Sequence, residues 1–408
     1  MLPDNRIVQP APEQSVITAF SVRTKDSFLE LGPDWDDLLG RTNSPTIFLS
    51  HDWMAEWWDL WGASHELLVI ALRGDAGRLI AIAPFYIRQP KWRSTGCRVL
   101  AFMASTGVAS DHLDLLIEPG SEVVAVKEIV RLLLAERKRW DYIELADGDL
   151  ESALLCELRR QLHQTGLLQY FAPSVMLPYA SLPGSFGEYL NRIGPSVRYN
   201  FRRRLRQLKE AGPVEFLCLT NSSDIRARFD DLIQLHRQRF DHIGKISAFL
   251  DPRLQAFHLG LLNRLADSPW PRLYLLIVGG RTVAALFGFA VGDRFSFYQS
   301  GMDPAWSRYS VGLVLLGCSI QHCIDSGQNE FDFLRGTQAY KLLWATECRQ
   351  GIVVRFFDAR PKSFAALLRF RFYQFASRVK ATLRRFRSNA VRKDRPGIAV
   401  SSNSPGIK

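Results

Sequence analysis

The chain has 408 residues, 47% of them hydrophobic, which is enough for two or three domains with sizeable cores and excludes a disordered protein. Its longest apolar run, Thr282 to Gly292, is about half of what a membrane-spanning helix needs. The net charge of +11 is unevenly placed: between Lys362 and Arg395 eleven bases face one acid, so this segment carries +10 and the chain before it is close to neutral.

Residues 1–15, with Pro3, Pro10 and Pro12, read as a flexible leader, too polar for a secretory signal. In the first half, Leu67 to Phe85 predicts two strands around a Gly-Asp-Ala-Gly turn. A strand near Leu113 to Ile117 follows, then a helix over Val123 to Arg137 and a strand over Trp140 to Leu145. The Asp111, His112 and Asp114 cluster lies in this half. Asp111 is expected to reach a cleft between the halves and bind the acceptor.

A connecting segment comes next. It holds a short helix at Phe186 to Ile193 and a basic helix from Pro195 to Lys209, which ends at Gly212-Pro213. A helix capped by Ser222 or Ser223 runs to about Phe240 and carries His236 and Arg239 one turn apart. The imidazole is a candidate base for the acceptor, or a packing residue. Arg253 to Ala266 is a further helix.

The second half repeats the order of the first. Leu273 to Phe289 is a strand, a Gly-Gly turn and a strand, and Arg294 to Ser300 continues the meander. Val311 to Ser326 is a helix and Phe331 to Leu334 the strand after it. A pseudo-duplicated α/β (α+β) chain is the simplest account. The expected division is 16–183, 184–358, a basic amphipathic helix at 359–395 and a disordered tail at 396–408. The six cysteines are scattered without a CxxC pair, which argues for reduced thiols and against a zinc site.

Two segments point to chemistry. Between the second meander and its helix, Arg308, Ser310, Val311 and Gly312 form a strand-to-helix loop suited to an anion, because free amides and the helix dipole converge there. Then comes Phe331-Asp-Phe-Leu-Arg-Gly-Thr-Gln-Ala-Tyr-Lys-Leu-Leu-Trp344, a strand that breaks at Gly336 and resumes as a helix. It gathers Asp332, Arg335, Tyr340 and Lys341 at a strand's carboxyl end, where ligands of open α/β sheets collect. A phenol at Tyr340 suits protonation of a leaving thiolate. Lys341 suits an anionic acceptor or intermediate. Asp332 and Arg335 either position a substrate or pair with each other.

These residues carry a resemblance. The Ser-Arg-Tyr-Ser-Val-Gly loop, its helix and the Phe-Asp-Phe-Leu-Arg-Gly…Tyr-Lys…Trp element resemble the CelD/BcsL-type acetyltransferases, members of the GNAT superfamily related to the FemAB transferases. The resemblance spans roughly residues 45–350 and includes Ser110-Asp-His-Leu-Asp114 and Leu235-His-Arg-Gln-Arg-Phe240. It implies two GNAT-like halves of mixed sheet and flanking helices, with acyl-CoA as co-substrate in the second. Pyrophosphate would lie at Arg308 to Gly312, and an acceptor amine or hydroxyl would attack the thioester directly. The superfamily's phosphate signature is Gln/Arg-x-x-Gly-x-Gly/Ala; here Arg308 stands four residues before Gly312, a departure from that spacing.

From Phe364 to Phe386 apolar residues recur every three or four positions amid the arginines, a stripe suited to an anionic membrane surface. The expected protein is an acyltransferase, peripheral on the inner face of the cytoplasmic membrane. Its acceptor would be a polysaccharide precursor or a lipid-linked or amine-bearing lipid. DNA is not an expected partner. Transfer from aminoacyl-tRNA, as in FemAB relatives, and a catalytically silent GNAT-fold scaffold are the alternatives.

Overall fold

The computed structural model describes residues 17–89 and 96–372. The first half runs β1 (Thr18–Val22), α1 (Lys25–Glu30), α2 (Gly32–Arg41), α3 (His51–Trp61), β2 (Glu66–Arg73), β3 (Leu79–Arg88), β4 (Val99–Phe102), β5 (Leu116–Ile117), α4 (Glu122–Ala135), β6 (Tyr142–Asp149), α5 (Ala153–Gln164) and β7 (Leu168–Ser181). After α6 (Phe186–Arg192) and α7 (Pro195–Ala211), the second half runs β8 (Val214–Leu219), α8 (Ser222–His242), α9 (Pro252–Arg264), β9 (Pro271–Val278), β10 (Arg281–Val291), β11 (Arg294–Met302), α10 (Val311–Asp325), β12 (Glu330–Asp332), α11 (Ala339–Trp344) and β13 (Glu347–Phe357).

The duplication is visible strand by strand. In each half an antiparallel meander leads through a helix to a strand parallel to the meander's last, β4 beside β6 and β11 beside β12. A helix crossover is what a parallel neighbour requires. All the strands join one mixed sheet in the order β1-β2-β3-β4-β6-β13-β7-β12-β11-β10-β9-β8, with β5 paired to β3. The final strands are exchanged: β13 pairs β6 of the first half, and β7 pairs β12 of the second. The two then pair with each other along most of their length.

Two main cores cover this sheet, beside a small cluster of Cys97, Phe357 and Ala366. The larger takes in the first half and continues through α8 and α9, where Trp53 meets Phe257 edge-on at 4.8 Å. The smaller packs α6, α7 and α10 on the other side, around Phe201, Phe331 and Trp344. The basic helix read from the sequence is α7. Its apolar stripe of Val197, Phe201 and Leu208 is buried, while Arg202, Arg206 and Lys209 face solvent.

Two details open the sheet. β11 and β12 pair over only three residues, 294–296 with 330–332, after which β11 runs on to Met302 paired to β10. β11 also bulges at Tyr298, since Phe287 faces Gln299 while Gly288 faces Phe297. Bulges re-aim side chains beside functional sites. The strand expected over Phe331 to Leu334 stops at Asp332, because Leu334 turns left-handed (φ 56°). The fuller strand expected near Leu113 is reduced to β5, because the chain before it is a loop with positive φ at Ala104, Gly107, Ala109 and His112. The stripe read at Phe364 to Phe386 lies within the described residues only to Phe372.

Candidate active site

Between β11 and the helices α10 and α11 there is a cavity of about 330 Å³. Its walls are mostly apolar, with Leu286 from β10, Phe297 and Met302 from β11, Leu313 and Leu316 from α10, and Leu343 and Trp344 from α11. Five polar residues share the lining: Arg239, Ser300, Ser307, Ser310 and Tyr340. An apolar cavity with few convergent polar groups is the usual form of a small-molecule site.

Arg239 arrives from α8, donates to Ser300 Oγ at 3.0 Å and lies 5.6 Å from the centre of the Tyr340 ring. Burial pushes the Tyr340 phenol up from its ordinary value, and the Arg239 guanidinium offsets part of that. The phenol therefore holds its proton at neutral pH, beside a cation that would stabilise the phenolate left after donation.

The anion loop lies against the same cavity, but its members differ in what they offer. Ser310 sits in the left-handed region (φ 53°) and starts α10, and Ser310 and Gly312 line the cavity. The amides of Leu313 and Val314 turn back to Ser310 O, while the first amides of the helix have no intrahelical acceptor. Val311 buries its side chain fully, so only its backbone can serve a ligand. Arg308 is not in the lining: it donates to Tyr309 Oη at 2.7 Å and stacks over that ring, while its carbonyl accepts from Arg204.

His236 is turned away. Its Nδ1 is 2.8 Å from Ser247 Oγ, Phe240 stacks on its ring at 4.3 Å, and Gln299 also bonds it. Burial and Arg239 lower it to about 4, so it is a neutral packing residue.

Asp332 and Arg335 do not pair with each other. Asp332, fully buried, meets His112 Nε2 at 2.6 Å, and Asp149 meets His112 Nδ1 at 2.7 Å. Burial alone would drive the imidazole down, but the two carboxylates outweigh it and raise it to about 10. Burial likewise opposes ionisation of Asp332, and the His112 charge overrides it, to about 2. Arg335 instead reaches Asp111, with Nε to Oδ1 at 2.8 Å and its own amide to Oδ2 at 2.9 Å, and it also pairs with Asp147 at 3.1 Å. Asp111 reaches the junction between the halves, where Arg335 occupies both its oxygens. Lys341 is enclosed too. Its ammonium donates to the carbonyls of Phe333 at 2.6 Å and Arg335 at 2.7 Å, with Leu334 O at 3.4 Å. Burial lowers it to about 8.

Sequence reasoning missed Ser300, Asp147 and Asp149, and named His112 in a cluster with Asp111 and Asp114 without giving it a role of its own. Ser300 lay in a strand already read. Asp147 and His112 meet Arg335 and Asp332 across the two halves, and Asp149 meets His112 from 37 residues away, juxtapositions that local pattern does not carry. A second cleft, polar and about 340 Å³, opens beside His112, Asp114 and Asp149. Among the described residues no group of three or more metal-ligating side chains converges, and no helix is long and apolar enough to cross a membrane.

Comparison with known proteins bears on the fold and on the type of domain. Residues 195–342 match the family model described as an acetyltransferase (GNAT) domain, whose members use acyl-CoA as co-substrate. No curated protein matches the chain. Among solved structures, FemX superposes with a TM-score of 0.60 at 10% identity, over 84% of this chain and 98% of its own. A conserved protein of unknown function from Bacteroides thetaiotaomicron gives 0.52 at 11% identity, over 83% and 100%. The C-terminal domain of a putative lysylphosphatidylglycerol synthetase from Agrobacterium fabrum gives 0.51 at 12% identity, over 84% and 96%. At such identities the likeness is one of fold. Residues 195–342 are thus similar to a GNAT-type acetyltransferase domain, and they lie within a mixed α/β fold whose two halves repeat one order of elements.

Proposed function

We propose that the protein is an acyl-CoA-dependent N- or O-acyltransferase, with Tyr340 as the acid that protonates the departing thiolate. The observation that carries this reading is the apolar cavity between β11, α10 and α11, lined both by the start of α10 and by the Tyr340–Arg239 pair. The apolar walls suit a pantetheine arm and acyl group, and the amides at Val311 and Gly312 suit the pyrophosphate. The acceptor's amine or hydroxyl attacks the thioester carbonyl carbon and loses its proton to solvent. The carbon–sulfur bond breaks, and the thiolate takes the Tyr340 proton and leaves as the free thiol. Lys341, Asp332, Arg335 and Asp111 hold the wall in this reading.

The finer resemblance to CelD/BcsL-type enzymes favours an envelope acceptor, a polysaccharide precursor or an amine-bearing lipid. A place on the membrane's inner face fits the helical residues 361–372, where Phe364, Leu368 and Phe372 are 47%, 54% and 74% exposed beside Arg369 and Arg371. Flotation with anionic vesicles should retain the full chain and lose a chain ending at Asp358. Equal flotation of both would remove the membrane from the proposal.

A second reading, aminoacyl transfer from tRNA, is favoured by the exposed Arg202, Arg206 and Lys209 of α7. Calorimetry separates the two. Acetyl-CoA or a long-chain acyl-CoA should bind the wild type, and Tyr340→Phe should bind it within about twofold while thiol release to an amine acceptor falls roughly a hundredfold. No binding of any CoA species, together with tRNA binding, would overturn the first reading in favour of the second.

A further inference from the structure

Tyr340 stands on a helix that cannot hold itself. α11 has six residues, and its N-cap, Gln338, makes no side-chain capping bond. A helix so short gains little from its own hydrogen bonds. Its position comes from the turn before it, and that turn is anchored to the first half of the chain at successive points. Asp332 Oδ2 meets His112, and Asp332 Oδ1 accepts the Leu334 amide at 2.8 Å. Leu334 is held left-handed, and Arg335 is tied to Asp111 and Asp147. The carbonyls of Phe333 and Arg335 then take the ammonium of Lys341, the residue next to Tyr340.

His112 is the hub of this arrangement. It is itself left-handed (φ 56°), as are Asp147 (φ 63°) and Leu334 (φ 56°), three non-glycine residues meeting at one junction. Such strain survives only where surroundings over-determine it, and it gathers at functional sites. The imidazole has a carboxyl group on each nitrogen, and with both ionised it donates to both as a cation, since a neutral ring would turn a lone pair toward one of them. A buried charge pair contributes little net stability, and losing one partner leaves the other uncompensated. What the pair supplies is a fixed geometry.

We infer that His112 is a positioning residue for the Tyr340 site: its doubly bonded imidazolium, contributed by the first half, sets the Asp332–Arg335 turn and through Lys341 the place of the phenol. The first half is thereby part of the active site without touching the substrate. The catalytic consequence rests on the acyltransferase reading above; the positioning itself does not.

The test is ¹⁹F NMR of the full chain carrying 3-fluorotyrosine, with the Tyr340 resonance identified by its loss in Tyr340→Phe. In folded His112→Gln that resonance should move or broaden, while those of Tyr142 and Tyr274, in other parts of the fold, stay in place. Amide exchange over residues 331–345 should quicken about tenfold, as local opening becomes easier. Adding Asp332→Asn, which removes the stranded charge, should restore the resonance toward its wild-type position. If His112→Gln does not fold, Asp149→Asn removes one anchor and should displace the same resonance less far. An unmoved Tyr340 resonance in a folded variant, or a shift shared by all the tyrosines, overturns the inference. Wild-type protein that binds no CoA would sink the acyltransferase reading while leaving this result to stand or fall alone.

Discussion

His112 keeps a proton between Asp149 and Asp332, and the stability this provides depends on pH in a definite direction. The imidazole is raised from 6.5 to about 10 on folding, against its burial, by Asp332 and Asp149. A group raised by folding contributes fully below its unfolded value, and the contribution drains away as pH climbs toward the folded one. For His112 that loss runs from pH 6.5 to about 10. Asp332 is lowered from 3.8 to about 2, so its share is complete above pH 3.8 and fails only toward pH 2. The ionic bridge is therefore at full strength between about pH 4 and pH 6.5. Lys341 works the other way, since burial lowers it to about 8 and releasing its proton relieves the fold. Comparison isolates the His112 part: the melting temperature of the wild type should fall more between pH 6.5 and 10 than that of His112→Gln. Parallel curves would mean that His112 is neutral in the native state.

Among the elements, β11 and α8 come closest where the cavity begins. A Cβ added at Gly301 would stand 2.3 Å from the amide nitrogen of His236 and 2.5 Å from the carbonyl carbon of Leu235. Both are helix backbone and cannot swing aside. Gly301→Ala should therefore force β11 off α8 and cost about 1–3 kcal/mol, seen as a lower denaturant midpoint with an unchanged slope. It should also disturb the Arg239–Ser300 contact next door. A variant as stable as the wild type would mean that the strand and helix are not so tightly pressed. The elements of this region were legible from the sequence, because β9, β10, α10 and the Asp332 strand each announce themselves within a dozen residues. β7 and β13 were not read. Their burial is mixed along 14 and 11 residues, and neither keeps the clean alternation that identifies a strand. The partner of Arg335 could not be read either, since Asp111 lies 224 residues away and only the tertiary fold unites them. The residues of the candidate site were thus visible as chemistry, but their pairings were not.

For the whole molecule, the exchange of β7 and β13 makes the halves interdependent. β13 lies between β6 and β7, and β7 lies between β13 and β12, so a cut at 183/184 leaves each strand in the fragment that lacks a partner it needs. β13 would lose both neighbours and β7 would lose both of its own. Unpaired edges of that length, with apolar faces beside them, invite association with other chains. Residues 1–183 and 184–408 produced separately should each aggregate, and produced together they should assemble into a soluble pair. A fragment starting at residue 166 keeps β7 against both β12 and β13, so it should be better behaved than one starting at 184. It should still lack the His112 and Asp111 contacts that hold the Asp332–Arg335 turn. If residues 184–408 alone unfold cooperatively and bind CoA as tightly as the full chain, then the second half completes its sheet without β7. The exchanged strands would then be a convenience of packing rather than a requirement of the fold.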